Sequence, residues 1–302
     1  MGENLTCEWA ICLYRATIYH KSAVMLRFFA VYGNPIAHSK SPLLHNHVFT
    51  KYGLSACYGR ILLENGEALR KNFDTFGLSG ANITIPFKEN AYTLCDEVRG
   101  IAQEIGACNT WVRENERVIG YNTDAQGFYE CIKDYHIKNA LVIGAGGAAK
   151  AVAIALKAHN IHTSIINRSA QKLTFFADKG FVCYVSDEFK PKDSYDIIIN
   201  TTSAGLGDTH LPCPKPLLES LFANASYAFD LIYGKQTPFL ALAADSHLIC
   251  DDGKDMLIYQ AAIAFKLFCQ NMSSANDARV SGTYIAGLES TQIAQIMREA
   301  LL

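Results

Sequence analysis

The stretch that most constrains this chain is Ala140-Leu141-Val142-Ile143 followed by Gly144-Ala145-Gly146-Gly147-Ala148-Ala149. An apolar strand runs into a GxGxxA turn, and the turn runs directly into a helical segment over 148–157. In that order the glycines carry a mechanism. Gly144 permits a tight turn, Gly146 lets the backbone approach a pyrophosphate, and Ala149 keeps the helix close to the sheet, while the free N–H groups of the helix start face the phosphates. The pattern predicts a dinucleotide-binding βα unit over Gly144, Ala145, Gly146, Gly147 and Ala148. The plainer alternative is a glycine-rich turn that binds nothing.

The end of the next strand selects the dinucleotide. Binders of NAD carry an acidic residue there for the ribose 2′-hydroxyl. Here, roughly 20 residues past the glycines, the chain reads Asn167-Arg168-Ser169-Ala170-Gln171-Lys172, with no carboxylate. Arg168 and Lys172 can instead clasp a 2′-phosphate, so NADP is favoured over NAD. Two solvated basic side chains on an exposed turn are the alternative.

Strand-like runs alternate with helical-period segments on both sides of this motif, which predicts an α/β architecture with parallel sheets. The first half offers strands at 27–32, 57–63 and 80–85, helices near 42–52 and 66–76, and a hairpin over 108–113 and 117–121. The second half offers strands at 139–143, 161–166, 195–200, 226–231 and 247–250, with a long Gly-, Asp- and Pro-bearing loop at 203–214. A last helix over 289–301 sets Ile293, Ile296, Met297, Ala300 and Leu301 on one face, a stripe that needs covering. The simplest cover is the N-terminal domain. The expected domains are therefore 25–123 with 253–302, and 124–252. Residues 1–24 read as a disordered extension: Arg15 breaks the apolar run after Tyr14, and Glu3 and Glu8 stand where a signal peptide wants positive charge.

Composition narrows the function classes. With 27 basic against 29 acidic side chains there is no basic excess for nucleic acid. No run approaches the roughly 18 apolar residues of a membrane span. The ten cysteines never fall at CxxC spacing, which reads as reduced core thiols in a cytoplasmic protein, and no metal site is expected. The expected partner is a small-molecule substrate, with a homodimer left open.

Further motifs follow one another in a specific order. They are Gly33-Asn34-Pro35-Ile36-Ala37-His38-Ser39-Lys40-Ser41-Pro42 with Leu44-His45-Asn46, then Asn82-Ile83-Thr84-Ile85-Pro86-Phe87-Lys88, Gly106-Ala107-Cys108-Asn109-Thr110 and Asn122-Thr123-Asp124. After the glycine turn come Asn200-Thr201-Thr202-Ser203, Asp230-Leu231-Ile232-Tyr233 with Thr237-Pro238-Phe239-Leu240, and Asp252-Gly253 with Met256-Leu257 and Gln260. In these motifs the chain, from about Met25 to its C-terminus, resembles the shikimate dehydrogenase family. The resemblance implies an N-terminal α/β substrate domain, a Rossmann-like NADP-binding domain and a cleft between them. It implies reversible reduction of 3-dehydroshikimate to shikimate with NADPH, a step of aromatic amino-acid biosynthesis.

By the same resemblance, Ser39 and Ser41 correspond to the hydroxyls that hold the substrate carboxylate, and Lys88 to the catalytic lysine. Asp124 corresponds to the carboxylate that orients that lysine and keeps it cationic. Thr84, Asn109 and Gln260 resemble side chains that read the substrate hydroxyls. Tyr233 and Gly253 resemble residues bordering the nicotinamide, with Thr201, Thr202, Ser203 and Leu231 beside them on the cofactor side. Without the family, Ser39 and Ser41 read as a hydroxyl-bonded turn, Lys88 as a surface lysine and Asp124 as a helix cap. His38 and His45 read as structural. The chain departs from the family's pattern at Asp255 and Ala125, where glycine is usual or frequent, and at Lys150 and Lys172, where arginine is frequent. Two alternatives remain: a quinate/shikimate dehydrogenase using NAD or both cofactors, and a non-catalytic nucleotide-binding scaffold. The second should have lost Lys88 or Asp124, and both are present.

Overall fold

The computed structural model describes residues 26–191, 194–270 and 287–302, so the extension expected over 1–24 lies outside the described residues. The chain forms two compact units, one made of residues up to Thr123 and from Ala261 onward, the other of Asp124–Gln260. The second crossing falls inside the continuous helix Lys254–Gln270, further along than the 253 read from the sequence.

In the first unit, β1 (Arg27–Gly33) leads to the helix Ser41–Lys51, whose first turn carries Pro42 with its preset φ. There follow β2 (Ala56–Leu62), the helix Leu69–Thr75, β3 (Gly80–Ile83), the helix Lys88–Leu94, β4 (Glu97–Val98), the helix Ala102–Ile105, β5 (Thr110–Glu114) and β6 (Arg117–Tyr121). These strands form one sheet in the order β2-β1-β3-β5-β6-β4. It is parallel through β2, β1 and β3 and antiparallel from β3 through β5 to β6. Only two residues, Asn115 and Glu116, separate β5 from β6, which permits a hairpin and no crossover. Asn115 takes the left-handed conformation that such a turn needs.

One face of this sheet is covered by aromatic rings from distant parts of the chain. Phe29 packs on Phe49 at 5.5 Å and on Phe268 at 4.8 Å between centroids. Gly80 makes room for Phe268, since a β-carbon there would stand 2.6 Å from the ring. The C-terminal helix Ser290–Glu299 lies against Ser41–Lys51, burying Ile293, Ala294, Ile296 and Met297, and Glu299 meets Lys51 at 2.8 Å.

His45 sits inside this layer, stacked on Tyr58 at 4.3 Å, with neither ring nitrogen hydrogen-bonded. Burial pushes its pKa down to about 3, so the imidazole is neutral, in keeping with a structural role. The unfolded chain takes up a proton near the ordinary pKa of about 6.5, which the folded chain refuses. The stability associated with the neutral ring is therefore complete above that value. It is lost at about 1.4 kcal/mol per pH unit as pH falls toward 3. Denaturant titrations at pH 7 and pH 5 should show the wild type losing about 2 kcal/mol more than His45→Phe. Equal losses in the two proteins would contradict this account.

The second unit opens with the helix Asp124–Ile132 and continues through β7 (Asn139–Ile143), the helix Gly147–Ala158, β8 (His162–Asn167) and β9 (Val182–Val185). It ends with β10 (Ile197–Asn200), the helix Lys215–Phe222, β11 (Tyr227–Asp230), the helix Pro238–Asp245 and β12 (Ile249–Asp252). All six strands are parallel, in the order β9-β8-β7-β10-β11-β12. The central strands are buried on both faces and read as unbroken apolar runs, Leu141-Val142-Ile143 and Ile197-Ile198-Ile199. Strand order reverses between β7 and β10, which opens a crevice at their carboxyl ends. The glycine turn after β7 and the Thr201–Ser203 segment after β10 both lie there. No described helix is long and apolar enough to cross a membrane, and no described cluster of His, Cys, Asp or Glu could hold a metal ion. The eight cysteines among the described residues are free thiols.

Candidate active site

Each unit gathers part of the expected residue set. In the first, the turn ahead of the helix Ser41–Lys51 buries both serines, with their hydroxyls 3.3 Å apart. The Ser41 side chain also contacts the Tyr58 phenol, which donates to Asn82 Oδ1 at 2.6 Å. Asn82 passes the network on, donating to Thr110 Oγ1 at 3.0 Å and to the Asn109 carbonyl at 3.4 Å. Asn109 is buried too; its amide donates to Thr123 Oγ1 at 3.0 Å, and its Oδ1 accepts from the Thr123 N–H at 2.8 Å. Ser39, Ser41, Asn82 and Asn109 thus belong to one buried run of polar side chains.

Thr84 and Lys88 are both half-buried. Thr84 is held by its N–H, which donates to the Tyr32 carbonyl at 2.8 Å. Gly33 allows this approach, because a β-carbon there would lie 2.5 Å from the Thr84 methyl. Lys88 is the first residue of its helix, and its carbonyl accepts from the Cys108 N–H at 2.9 Å. The backbone that carries the lysine is thereby tied to the segment that carries Asn109.

In the second unit, Asp124 is buried and begins the helix Asp124–Ile132. Gln260 is buried on the helix Lys254–Gln270, and its amide donates to the Leu257 carbonyl at 2.8 Å. Gly127 lets the two helices touch, since a β-carbon there would stand 2.8 Å from Gln260. Asp255 lies in the first turn of Lys254–Gln270, where a carboxylate suits the positive end of the helix dipole.

The glycine turn fits a dinucleotide. Gly144 has φ +114° and closes on Thr201, whose Oγ1 would be 2.6 Å from an added β-carbon. At Gly146 and Gly147 such an atom would meet nothing within 4 Å, so the surface is clear for a ligand to approach. No side chain caps the helix Gly147–Ala158 and no acid stands in its first turn, which suits phosphate at its N–H groups. Ala145 and Ala148 line the same turn. Asn167 ends β8 and its amide donates to the Ser169 carbonyl at 2.9 Å, holding the turn from which Arg168 projects into solvent. Lys172, also exposed, follows in a single 3₁₀ turn.

A buried carboxylate organises the other side of the crevice. Asp230 accepts from Thr237 Oγ1 at 2.6 Å, Asn200 Nδ2 at 3.1 Å and the Ile232 N–H at 3.0 Å. Burial pushes its carboxyl above the ordinary range while these bonds pull the other way. Asn200 Oδ1 in turn accepts from the N–H and hydroxyl of Thr202, at 3.0 and 2.8 Å. Thr202 and the turn Leu231-Ile232-Tyr233 therefore share one anchor. Tyr233 is half-buried, and Ser203 is exposed. Gly253 touches this turn directly: a β-carbon there would fall on the Leu231 carbonyl oxygen. Asn82, Tyr58 and Asp230 were absent from the residue set read from the sequence. Asn82 and Asp230 open motifs recognised there, but nothing in the string places them at these junctions.

Comparison with known proteins gives a consistent result. Residues 31–111 match the family described as the shikimate dehydrogenase substrate binding domain. The chain is 63% identical over 278 residues to the shikimate dehydrogenase (NADP(+)) of Helicobacter hepaticus, covering 92% of this chain and 100% of that protein. It is 48% identical over 247 residues to the enzyme of the same name from Helicobacter pylori strain P12, covering 80% of this chain and 92% of that one. Among solved structures it is similar to shikimate dehydrogenase from Aquifex aeolicus, with a TM-score of 0.77, 31% identity and coverage of 93% and 99% of the two chains. It is also similar to the Thermus thermophilus enzyme in complex with NADP(H) and shikimate, with a TM-score of 0.73, 30% identity and coverage of 91% and 99%.

Proposed function

The chain belongs to the shikimate dehydrogenase family, and from that membership we infer that it reduces 3-dehydroshikimate to shikimate with NADPH, reversibly. When bound, NADPH supplies the hydride that the carbonyl carbon receives. Everything else falls to the protein. Ser39 and Ser41 donate to the substrate carboxylate; Thr84, Asn109 and Gln260 read its hydroxyls. The Lys88 ammonium stabilises the negative charge that develops on the carbonyl oxygen and gives it a proton, and in the reverse direction it takes that proton back. Asp124 is, on the same reading, the carboxylate that orients the lysine.

The cofactor is held by Gly144, Ala145, Gly146, Gly147 and Ala148 at its pyrophosphate. Asn167, Arg168 and Lys172 meet its 2′-phosphate. Thr201, Thr202, Ser203, Leu231, Tyr233 and Gly253 line its nicotinamide side. The observation that carries this reading is the glycine turn at the strand-order reversal, with an uncapped helix start, open space at Gly146 and Gly147, and no acid at the end of β8.

Nicotinamide absorbance decides the matter. Purified protein should turn over shikimate with NADP far faster than quinate with NADP or shikimate with NAD. Comparable rates with quinate or NAD would favour the dual-specificity alternative, and no turnover with any pair would favour the scaffold.

A further inference from the structure

Arg60 lies on β2, two residues beyond Tyr58 and therefore on the same face of the strand. Its Nε and Nη2 both donate to the carbonyl of Ser39, at 2.9 and 2.7 Å. A guanidinium that grips one peptide oxygen with two charge-assisted bonds fixes that peptide in orientation as well as position. The gripped peptide is the one that follows the Ser39 side chain and stands one residue ahead of Ser41. A second tie supports it: Asn46 brackets the backbone of Tyr58, donating to its carbonyl and accepting from its N–H, each at 2.9 Å. The segment running from Ser39 into the helix is thus fastened to β2 at two levels of its backbone, and Arg60 is the one that grips the serine turn itself.

We propose that Arg60 is the positioning residue of the carboxylate subsite, holding the Ser39–Ser41 turn so that both hydroxyls meet the carboxylate of the substrate. The inference rests on the reading that Ser39 and Ser41 bind that carboxylate. Arg60 acts through them and takes no part in hydride or proton transfer. Its cationic head also brings a positive charge to the turn that receives the anion. The consequence is a residue that sets affinity for shikimate while leaving the chemical step and the cofactor alone.

The test is steady-state kinetics on Arg60→Gln and Arg60→Lys, each made in the wild type and in a Ser39→Ala/Ser41→Ala background. In the wild-type background Arg60→Gln should raise KM for shikimate roughly 10- to 100-fold, the loss expected of charge-assisted hydrogen bonds. The values of kcat and of KM for NADP should stay within about threefold. Arg60→Lys, which keeps the charge but not the fork, should recover only part of the affinity. In the serine-less background Arg60→Gln should lower kcat/KM by less than about threefold, because the groups it positions are gone. The proposal is overturned if KM for shikimate does not move. It is equally overturned if kcat or KM for NADP moves with it, or if the loss is as large without the serines, since a merely structural arginine would behave so. If the double serine variant itself leaves KM for shikimate unchanged, the underlying assignment of the carboxylate site fails instead. Should Arg60→Gln fail to fold, the Arg60→Lys pair of measurements carries the same comparison.

Discussion

Replacing Lys88 with alanine should lower kcat by roughly 10²–10⁴, the range for a positioned proton-transfer group, while KM for shikimate changes by a few-fold at most. The asymmetry follows from when the lysine matters. The ground-state carbonyl is neutral, and full negative charge appears on its oxygen only as the carbon accepts hydride, so the ammonium acts chiefly on the transition state. On the proposed reading, affinity for the substrate is instead spread over Ser39, Ser41, Thr84, Asn109 and Gln260. Lys88 begins its helix, and its backbone carbonyl is tied to the Cys108 N–H. Truncation should therefore leave the segment carrying Asn109 in place. Lys88→Arg should recover little, because a guanidinium keeps its proton at any pH the enzyme works at. A kcat for Lys88→Ala within a few-fold of wild type would remove Lys88 from the mechanism.

The second large effect concerns the cofactor. A 2′-phosphate brings close to two negative charges, and the end of β8 offers Arg168 and Lys172 on an exposed turn with no carboxylate among residues 167–172. Arginine presents a planar fork of donors to such a group, and lysine a mobile point charge. A hydrogen bond to a charged group contributes about 1.5–3 kcal/mol, so Arg168→Ala should weaken NADP binding roughly 10- to 100-fold. Affinity for NAD, which has no phosphate there, should hardly change. The ratio of kcat/KM for NADP over NAD, compared between wild type and Arg168→Ala, reads the effect directly. An unchanged ratio would make the basic pair a solvated turn and move cofactor selectivity elsewhere.

The second unit was legible because its central strands, β7 and β10, are buried on both faces and spell themselves out as apolar runs, and the strands beside them follow at regular spacing. The exception is β9, Val182–Val185, an edge strand with Val182 exposed, whose four residues carry no marker to separate them from a connector. In the first unit the segment 86–107 was opaque for a different reason. The helix Lys88–Leu94 buries only Ala91 and so has no apolar stripe, and β4 is two residues long. Of the candidate site, the glycine turn and the basic pair were readable from local chemistry alone, whereas the serines, Lys88 and Asp124 were readable only through resemblance. The supports of the serine turn were not readable at all. Arg60 reaches Ser39 and Tyr58 reaches Asn82 across neighbouring elements more than twenty residues apart in sequence, and no periodicity encodes a contact of that kind.

The first unit is assembled from the two ends of the chain, and this imposes an order on synthesis. Residues 124–260 form a contiguous unit that can close once its last helix leaves the ribosome. The earlier-made sheet cannot. Phe268, the ring that fills the space at Gly80 and packs on Phe29, is made only after the whole of the second unit, and the helix that covers Ser41–Lys51 later still. For that interval the nascent chain carries a finished nucleotide-binding unit behind a sheet whose aromatic face lacks the Phe268 ring, and exposed apolar surface of that kind is what holding chaperones recognise.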